Sequence, residues 1–202
     1  MEVGSADRSQ PAELRIYLET DRLVLRYLTE EDVENLYALD ADLEVMRYLN
    51  NGRPHSRSQI VEKVLPHYFD HHVRYGDRYG FFAAIEKESE RFIGWFHFRP
   101  YLANPDEIEL GYRLVRSAWG KGYATEGSRA LLRKGFVEFG IDTIVADTLV
   151  GNLRSRRVME ALGMRLRSGF TLDADEFPDW DGDQRRGVEY VFTRTEWEEA
   201  GA

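Results

Sequence analysis

A glycine-rich turn between a predicted strand and a predicted helix constrains the fold more than any other feature of this sequence. Residues 108–127, IELGYRLVRSAWGKGYATEG, first alternate apolar and polar side chains, as strands do, and then reach WGKG. The residues from Tyr123 onward carry apolar side chains at helical spacing, with Glu126 near the start and Arg133 near the end. The pattern predicts a strand, a glycine turn and an amphipathic helix that stops at Gly140.

This turn is a candidate phosphate site. Gly120 and Gly122 lie where free amide groups and the positive end of the helix dipole converge. Glycine is needed there because a side chain would keep phosphate oxygens away from the amides. A plain strand-to-helix turn accounts for one glycine, but hardly for two glycines together with Lys121.

Two other phosphate motifs compete for the same residues. A Walker A loop is excluded, because Gly122 follows Lys121 where Ser or Thr is required and Val115 holds the earlier glycine position. A Rossmann fingerprint is disfavoured, because Thr125 replaces its third glycine and Asp142 precedes a predicted strand instead of ending one.

The rest of the chain predicts one mixed α+β domain. Predicted strands cover 16–28, 106–115, 143–150, 164–172 and 187–195, and a hairpin over 79–101 turns at Lys87–Glu90. Predicted helices cover 29–40, 44–50, 56–76 (with a kink at Pro66) and 152–163. Neither a repeat nor a linker is evident, so we predict a flexible tail over residues 1–12 and a single domain over 13–202.

Composition and charge limit the partners. The sequence has no cysteine, which excludes disulfides, thiolate metal sites and a Cys nucleophile, and favours a cytoplasmic location. The net charge of −9 disfavours nucleic acid, and the one dense basic stretch, NLRSRRVME, is predicted to be a solvated helix face. No apolar stretch is long enough to span a bilayer, so we expect no membrane partner.

The motif WGKGYA resembles the pyrophosphate loop, Q/R-x-x-G-x-G/A, of the Gcn5-related N-acetyltransferases, which bind acetyl-CoA. The segments ETDRLVLRYLTEEDVENLY, NLRSRRVMEALGM and VEYVFTRTEW extend the resemblance over nearly the whole chain, and toward the branch that acetylates ribosomal-protein N-termini. Trp119 holds the Gln/Arg position, as is usual in this branch, and we expect the polar contact of that side chain to be lost. The resemblance implies a central mixed, mostly antiparallel sheet flanked by helices.

The resemblance also implies which residues bind acetyl-CoA. Backbone groups of Leu114 and Val115 would pair with the pantetheine arm, and Asn152 would contact the same arm. The pyrophosphate would be held by backbone amides of Gly120, Lys121, Gly122, Tyr123, Ala124 and Thr125. From the residues alone, Lys121 could equally be a solvated side chain and Asn152 an ordinary helix N-cap.

Acetyl transfer to an amine requires a neutral amine, a donor for the oxyanion and a proton for the leaving thiolate. Glu109 holds the place of the base in similar enzymes, although it could also be an ordinary polar strand residue. His97 is the rival base, and could instead be a packed side chain. The resemblance assigns the thiolate proton to Ser155, in the first turn of the predicted helix.

We therefore predict an acetyl-CoA-dependent N-acetyltransferase that acts on a primary amine, of a protein N-terminus or a small molecule, by direct transfer without a metal. The alternative is a non-catalytic acyl-CoA-binding regulatory module, which would need the glycine turn but neither Glu109 nor Ser155. The acidic segment 173–183, DADEFPDWDGD, is predicted to line the acceptor side and attract a cation, unless it is a solvated loop. A homodimer is compatible with this prediction.

Overall fold

The computed structural model describes residues 15–201, which contain one sheet of eight strands. The predicted tail, residues 1–12, lies outside the described residues. The strands are β1 Ile16–Glu19, β2 Leu23–Tyr27, β3 Gly80–Glu86, β4 Phe92–Pro100, β5 Ile108–Leu114, β6 Thr143–Leu149, β7 Arg165–Thr171 and β8 Arg186–Thr193. The α-helices are α1 Val33–Asp40, α2 Leu43–Met46, α3 Arg57–Gln59, α4 Leu65–Tyr75, α5 Tyr123–Arg133, α6 Leu153–Ala161 and α7 Arg194–Glu199.

The sheet has the order β1-β2-β3-β4-β5-β6-β8-β7, and only β5 and β6 run parallel among its neighbours. The prediction of a mixed, mostly antiparallel sheet flanked by helices is confirmed. The parallel pair is short, because its register contains only Ile108↔Ile144 and Glu109↔Val145. Beyond Glu109 the two strands separate, and this gap positions the site described below.

Each face of the sheet carries its own hydrophobic core. Successive side chains on a strand point to opposite faces, so Phe81 and Phe82 of β3 join different clusters. Phe82 packs in the cluster that includes Leu131 of α5 and Met159 of α6. Phe81 packs in the cluster that includes Tyr68 of α4. The helices are therefore divided between the two faces.

The predicted strand over residues 16–28 is wrong in one respect, because it forms two strands. The chain turns after Glu19, and the amide of Thr20 donates to the carbonyl of Leu23 at 2.9 Å. The turn is held from outside, since Glu126 of α5 accepts hydrogen bonds from Thr20 Oγ1 at 2.5 Å and from the Arg22 amide at 2.9 Å. A contact more than 100 residues away along the chain has no local sequence signal.

The long helix predicted over residues 56–76 forms, with a wider turn where the kink at Pro66 was expected. Ser56 caps its start in a reciprocal pair with Gln59, and a π-helical turn at Ile60–Val64 joins α3 to α4. Proline lacks an amide hydrogen and its ring crowds the preceding turn, so a locally widened helix is the expected adjustment.

The closing strand was predicted too long, because β8 ends at Thr193 and α7 begins at once. Thr193 accepts a hydrogen bond from the Glu196 amide at 3.3 Å, and Glu196 accepts from the Thr193 amide at 2.8 Å. This capping box is visible in the sequence as T-x-x-E, a signal that the strand prediction overlooked.

Candidate active site

The separation of β5 from β6 opens a cleft of about 1190 Å³. The glycine turn and the start of α5 lie at one part of its wall, and the start of α6 lies at another. Of the predicted site residues, Glu109, Leu114, Gly120, Gly122, Tyr123, Ala124, Thr125, Asn152 and Ser155 line the cleft, as does the rival base His97. The structure thus brings together residues that lie far apart in the sequence.

The glycine turn has the geometry that an anion site requires. Gly120 and Gly122 have φ of +73° and +83°, in the left-handed region that favours glycine. The amides from Gly120 to Thr125 donate to no acceptor within residues 15–201, whereas the amide of Glu126 already bonds the carbonyl of Gly122. These free donors surround the N-terminus of α5, where the helix dipole adds positive potential.

The turn is fastened by a residue that the sequence analysis missed. The Arg22 guanidinium donates to the carbonyl of Lys121 at 2.9 Å and to Glu126 at 2.6 Å. It also lies 4.5 Å over the ring of Tyr123, whose hydroxyl bonds Glu86. The Tyr123 side chain is therefore occupied inside the protein, and only its amide is available to a ligand. The Lys121 side chain is exposed.

Trp119, which holds the Gln/Arg position of the motif, makes a polar contact within the protein. Its indole Nε1 donates to the carbonyl of Leu114 at 2.8 Å. The neighbouring Val115 amide donates to Ile93 and the Val115 carbonyl accepts from Ala118, both at 3.0 Å. A ligand that pairs with Leu114 must share the carbonyl that Trp119 already uses, since a carbonyl has two lone pairs.

Two hydroxyl groups meet at the cleft, one from the start of α6 and one from β5. Asn152 caps the helix, as predicted, because its Oδ1 accepts a hydrogen bond from the Ser155 backbone amide at 3.3 Å. Its side-chain Nδ2 donates to Thr148 Oγ1 at 3.1 Å. The Tyr112 hydroxyl donates to Ser155 Oγ at 3.4 Å. Burial raises the pKa of Tyr112, so this phenol stays protonated at neutral pH. No sequence motif distinguishes Tyr112 from the other aromatic residues of the predicted strands.

Glu109 and His97 form one buried group. Glu109 Oε1 lies 3.2 Å from His97 Nε2, and Glu109 Oε2 lies 2.7 Å from an Arg99 nitrogen. Burial acts to raise the pKa of Glu109, but His97 and Arg99 outweigh it and the net shift is downward. Burial also lowers the pKa of His97, which favours neutral imidazole. Glu109 is therefore a poor proton acceptor on its own at neutral pH.

A second buried charge cluster supports the cleft wall from outside. Asp40 is only 1% exposed, and its Oδ2 lies 2.8 Å from His55 Nδ1. Its other carboxylate oxygen pairs with Arg113 of β5. The Arg113 guanidinium lies 4.9 Å over the Trp95 ring, and both side chains line the cleft. The sequence analysis missed this cluster, because its members are far apart along the chain.

The acidic segment meets the cleft differently from its prediction, and the basic helix α6 makes a contact that was not predicted. Residues 173–183 reach the cleft through Phe177 and Trp180, whose rings stack 5.2 Å apart, and not through their carboxylates. Asp179 instead pairs with Arg53 at 2.5 Å. On α6, Arg154 is exposed, as predicted, and it also lies 4.6 Å over the Trp119 ring and lines the cleft.

Known proteins resemble this chain over most of its length. The sequence profile described as "Acetyltransferase (GNAT) domain" matches residues 22–165. FsC-acetyl coenzyme A-N(2)-transacetylase of Aspergillus fumigatus is 33% identical, over 89% of this chain and 77% of that protein. The putative ribosomal N-acetyltransferase YdaF of Bacillus subtilis is 26% identical, over 88% of this chain and 94% of that protein.

Solved structures show the same fold. A GNAT-family acetyltransferase from Bacillus anthracis superposes with a TM-score of 0.72 at 23% identity, over 88% of this chain and 98% of that one. The aminoglycoside acetyltransferase AAC(6')-Ib, solved in complex with coenzyme A, superposes with a TM-score of 0.69 at 21% identity, over 89% and 99%. Within residues 15–201, no helix has the length and apolar character needed to cross a membrane.

Proposed function

The chain belongs to the GNAT family of acetyltransferases, and we propose that it transfers the acetyl group of acetyl-CoA directly to a primary amine held in the cleft between β5 and β6. The family assignment makes it an acetyl-CoA-dependent N-acetyltransferase. The direct route, the class of acceptor and the roles of single residues are the proposal.

One observation carries the proposal: the free amides from Gly120 to Thr125 lie on the same cleft as Ser155 and Glu109. The amides provide a place for the pyrophosphate at the start of α5. The edge of β5 beyond Glu109 is freed by the departure of β6, so the pantetheine arm can pair with the second lone pair of the Leu114 carbonyl, with Asn152 on the same cleft. At Val115 only the second lone pair of the carbonyl is left for the arm, because its amide bonds Ile93. Arg154 adds positive charge beside the turn.

We assign the proton transfers to the two sides of the gap. Ser155, hydrogen-bonded to the protonated Tyr112, protonates the thiolate that leaves. Glu109, the base that the resemblance implies, helps to remove the proton of the acceptor amine while it is paired with Arg99. His97 stays the alternative base, because its neutral imidazole also faces the cleft. The sequence contains no cysteine, so an acyl-cysteine intermediate has no residue to form on.

The acceptor is a primary amine of a small molecule or of a protein N-terminus. The similarity to a putative ribosomal N-acetyltransferase supports the ribosomal-protein branch and a protein N-terminus. The identity to an N(2)-transacetylase, 33%, is higher than the 26% to the putative ribosomal enzyme, and it favours a nitrogen atom of a small molecule as the acceptor. The stacked Phe177 and Trp180 offer such a molecule an apolar wall.

Two further parts of the proposal concern the whole chain. Residues 13–202 act as one catalytic domain, alone or as a homodimer. The lack of cysteine favours a cytoplasmic site of action.

The experiment is a panel of primary amines assayed for release of the CoA thiol from acetyl-CoA. The panel contains polyamines, aminoglycosides, amino-acid amides and short peptides with free N-termini. We expect turnover with at least one class, and mass spectrometry should find one acetyl group on its amine. Release of CoA without an acetylated amine, or no release with any member, would contradict the proposal.

A further inference from the structure

Three carboxylates lie on one face of three adjacent strands beside the gap: Glu109 of β5, Asp147 of β6 and Glu189 of β8. The register places Asp147 directly opposite Glu189 and two residues beyond Val145, the partner of Glu109. Side chains two residues apart on a strand share a face, so all three point to the same side.

Only one of the three has no cation to hold it. Glu109 lies against Arg99, and Glu189 pairs with Arg167. The Asp147 carboxylate makes no hydrogen bond or ion pair with any of residues 15–201, and it is open to solvent in the cleft. Asp147 is thus the carboxylate of this group that is free to receive a positively charged ligand.

Asp147 lies beside the gap, on the face of the sheet opposite the Tyr112 and Ser155 hydroxyl groups. The next residue, Thr148, points to the opposite face and bonds Asn152 at the start of α6. Tyr112 and Ser155 lie on that opposite face. A thioester in the gap would therefore have its sulfur toward the hydroxyl pair and its other side toward Asp147.

We propose that Asp147 is a catalytic residue: it binds the acceptor as an ammonium ion and takes its proton, while Glu109 acts as a positioning residue through its charge. The assignment rests on the proposed function and replaces Glu109 as the direct proton acceptor.

The electrostatics of the group agree with this role. The charged and titratable groups that face Asp147 are Glu109, Arg99, Glu189 and Tyr101. The surrounding cleft walls reduce the hydration of the Asp147 carboxyl although it stays open to solvent on one side, and this desolvation, together with Glu109 and Glu189, raises its pKa to about 7 against the opposing effect of Arg99. A base of that pKa is half ionised near neutral pH, which suits general-base catalysis.

The proposed acetyl transfer accounts for both protons that leave the ammonium nitrogen of the acceptor. One ammonium proton passes to the Asp147 carboxylate, and the neutral nitrogen attacks the thioester carbon. The C–N bond forms and the C–S bond breaks. The second proton leaves the nitrogen of the tetrahedral intermediate and reaches the sulfur through the Ser155 hydroxyl. Asp147 then releases its proton to solvent, so that the reaction yields amide, CoA thiol and one proton.

The test compares Asp147→Asn with Asp142→Asn, which makes the same change at an exposed residue that precedes the same strand and pairs with Arg194. The substrate is the best amine from the panel, at saturating acetyl-CoA. We expect kcat/KM to fall by about 100-fold or more in Asp147→Asn and to stay unchanged in the control. Asp147→Glu should recover part of the loss.

The pH profile separates catalysis from mere folding. The wild type should show a limb near pH 7 that is absent from Asp147→Asn and moves to lower pH in Glu109→Gln, because the raising effect of Glu109 is gone. A ¹³C titration of the Asp147 carboxyl should give the same midpoint. Full activity of Asp147→Asn, or a carboxyl that titrates below about pH 5, would overturn this assignment and leave the proposed function intact. Turnover of no amine by the wild type would overturn both.

Discussion

Neighbouring side chains in this cleft have different chemistry because their surroundings differ. Glu109 and Asp147 are both carboxylates on adjacent strands, yet the pKa of Glu109 is lowered beside His97 and Arg99 while that of Asp147 is raised to about 7. The sequence could identify Glu109 by its motif, but it could not show that Arg99, ten residues earlier, lies against it. The partners of a carboxylate on neighbouring strands therefore decide whether it can accept a proton at neutral pH.

The first prediction concerns the hydroxyl pair. Ser155→Ala removes the proposed donor to the thiolate, so kcat should fall while the acetyl-CoA Kd stays close to wild type. The loss should shrink with an acyl-CoA analogue that has a better leaving group, because that thiolate needs less help. Steady-state kinetics with both thioesters measure this.

Tyr112→Phe provides the matched control. Because Tyr112 acts through Ser155, the double variant should lose little more than Ser155→Ala alone. Additive losses in the two single variants would contradict a shared proton path. The Asn152 cap contact persists in all three variants, since it is made by the Ser155 backbone.

The second prediction is a pH dependence of stability. The pKa of Asp147 is raised in the folded protein above its value of ~3.9 in an unfolded chain, so its ionisation disfavours the folded state. The contribution of Asp147 to the free energy of unfolding is therefore fully present below about pH 4, and it is lost as the pH rises through 7. Asp147→Asn should therefore have a higher Tm than wild type at pH 8 and the same Tm near pH 4. A Tm difference that does not vary with pH would contradict the raised pKa.

The elements that hold the site were predictable where local signals exist. The glycine turn and the Asn152 cap follow from residue types that favour one backbone geometry, and the hairpin at Lys87–Glu90 follows from the short polar stretch between two apolar runs. The split of the first strand and the anchoring of the turn by Arg22 were not predictable, because Arg22 and Glu126 meet only after folding. The separation of β5 from β6 has no sequence signature for the same reason.

The third prediction tests the β4–β5 pair that forms one wall of the cleft. Gly94 has φ of +140°, and a Cβ there would lie 2.1 Å from the carbonyl oxygen of Arg113. Gly94→Ala should therefore lower the free energy of unfolding by about 3 kcal/mol or more, through strain and overpacking. Urea denaturation measures this.

Gly182→Ala is the control for that experiment, because no atom lies within 4 Å of the added Cβ and the backbone there is not left-handed. Its free energy of unfolding should change by less than about 0.5 kcal/mol. Equal effects at the two glycines would mean that the β4–β5 contact is looser than the structure shows.

The whole molecule is one sheet with a core on each face and a cleft where two parallel strands part. A ligand that bridges the cleft binds only the folded protein and so stabilises it. The fourth prediction is that acetyl-CoA at 100 times its Kd raises Tm by about 5–10 °C. NADH and ATP at the same concentration should do much less, and equal stabilisation by all three would reduce the turn to a general anion site.

Binding of the acetyl-CoA pyrophosphate by the free amides from Gly120 to Thr125 is tested by comparing Gly122→Glu with Gly140→Glu. Both glycines have positive φ, +83° and +64°, and they lie at opposite ends of the same helical segment. The backbone strain of the substitution is therefore matched, although a Cβ at position 122 lies 3.4 Å from Arg22 Nη2, and only Gly122→Glu places a carboxylate at the proposed phosphate position.

The measurement is the Kd of each variant for acetyl-CoA and for acetyl-pantetheine, which lacks the pyrophosphate. We expect Gly122→Glu to weaken acetyl-CoA binding by about 100-fold or more, a repulsion of ~3 kcal/mol, and to leave acetyl-pantetheine binding unchanged. Gly140→Glu should alter neither. Unchanged affinity of Gly122→Glu for acetyl-CoA, or an equal loss for both ligands, would contradict the claim that this turn binds the pyrophosphate.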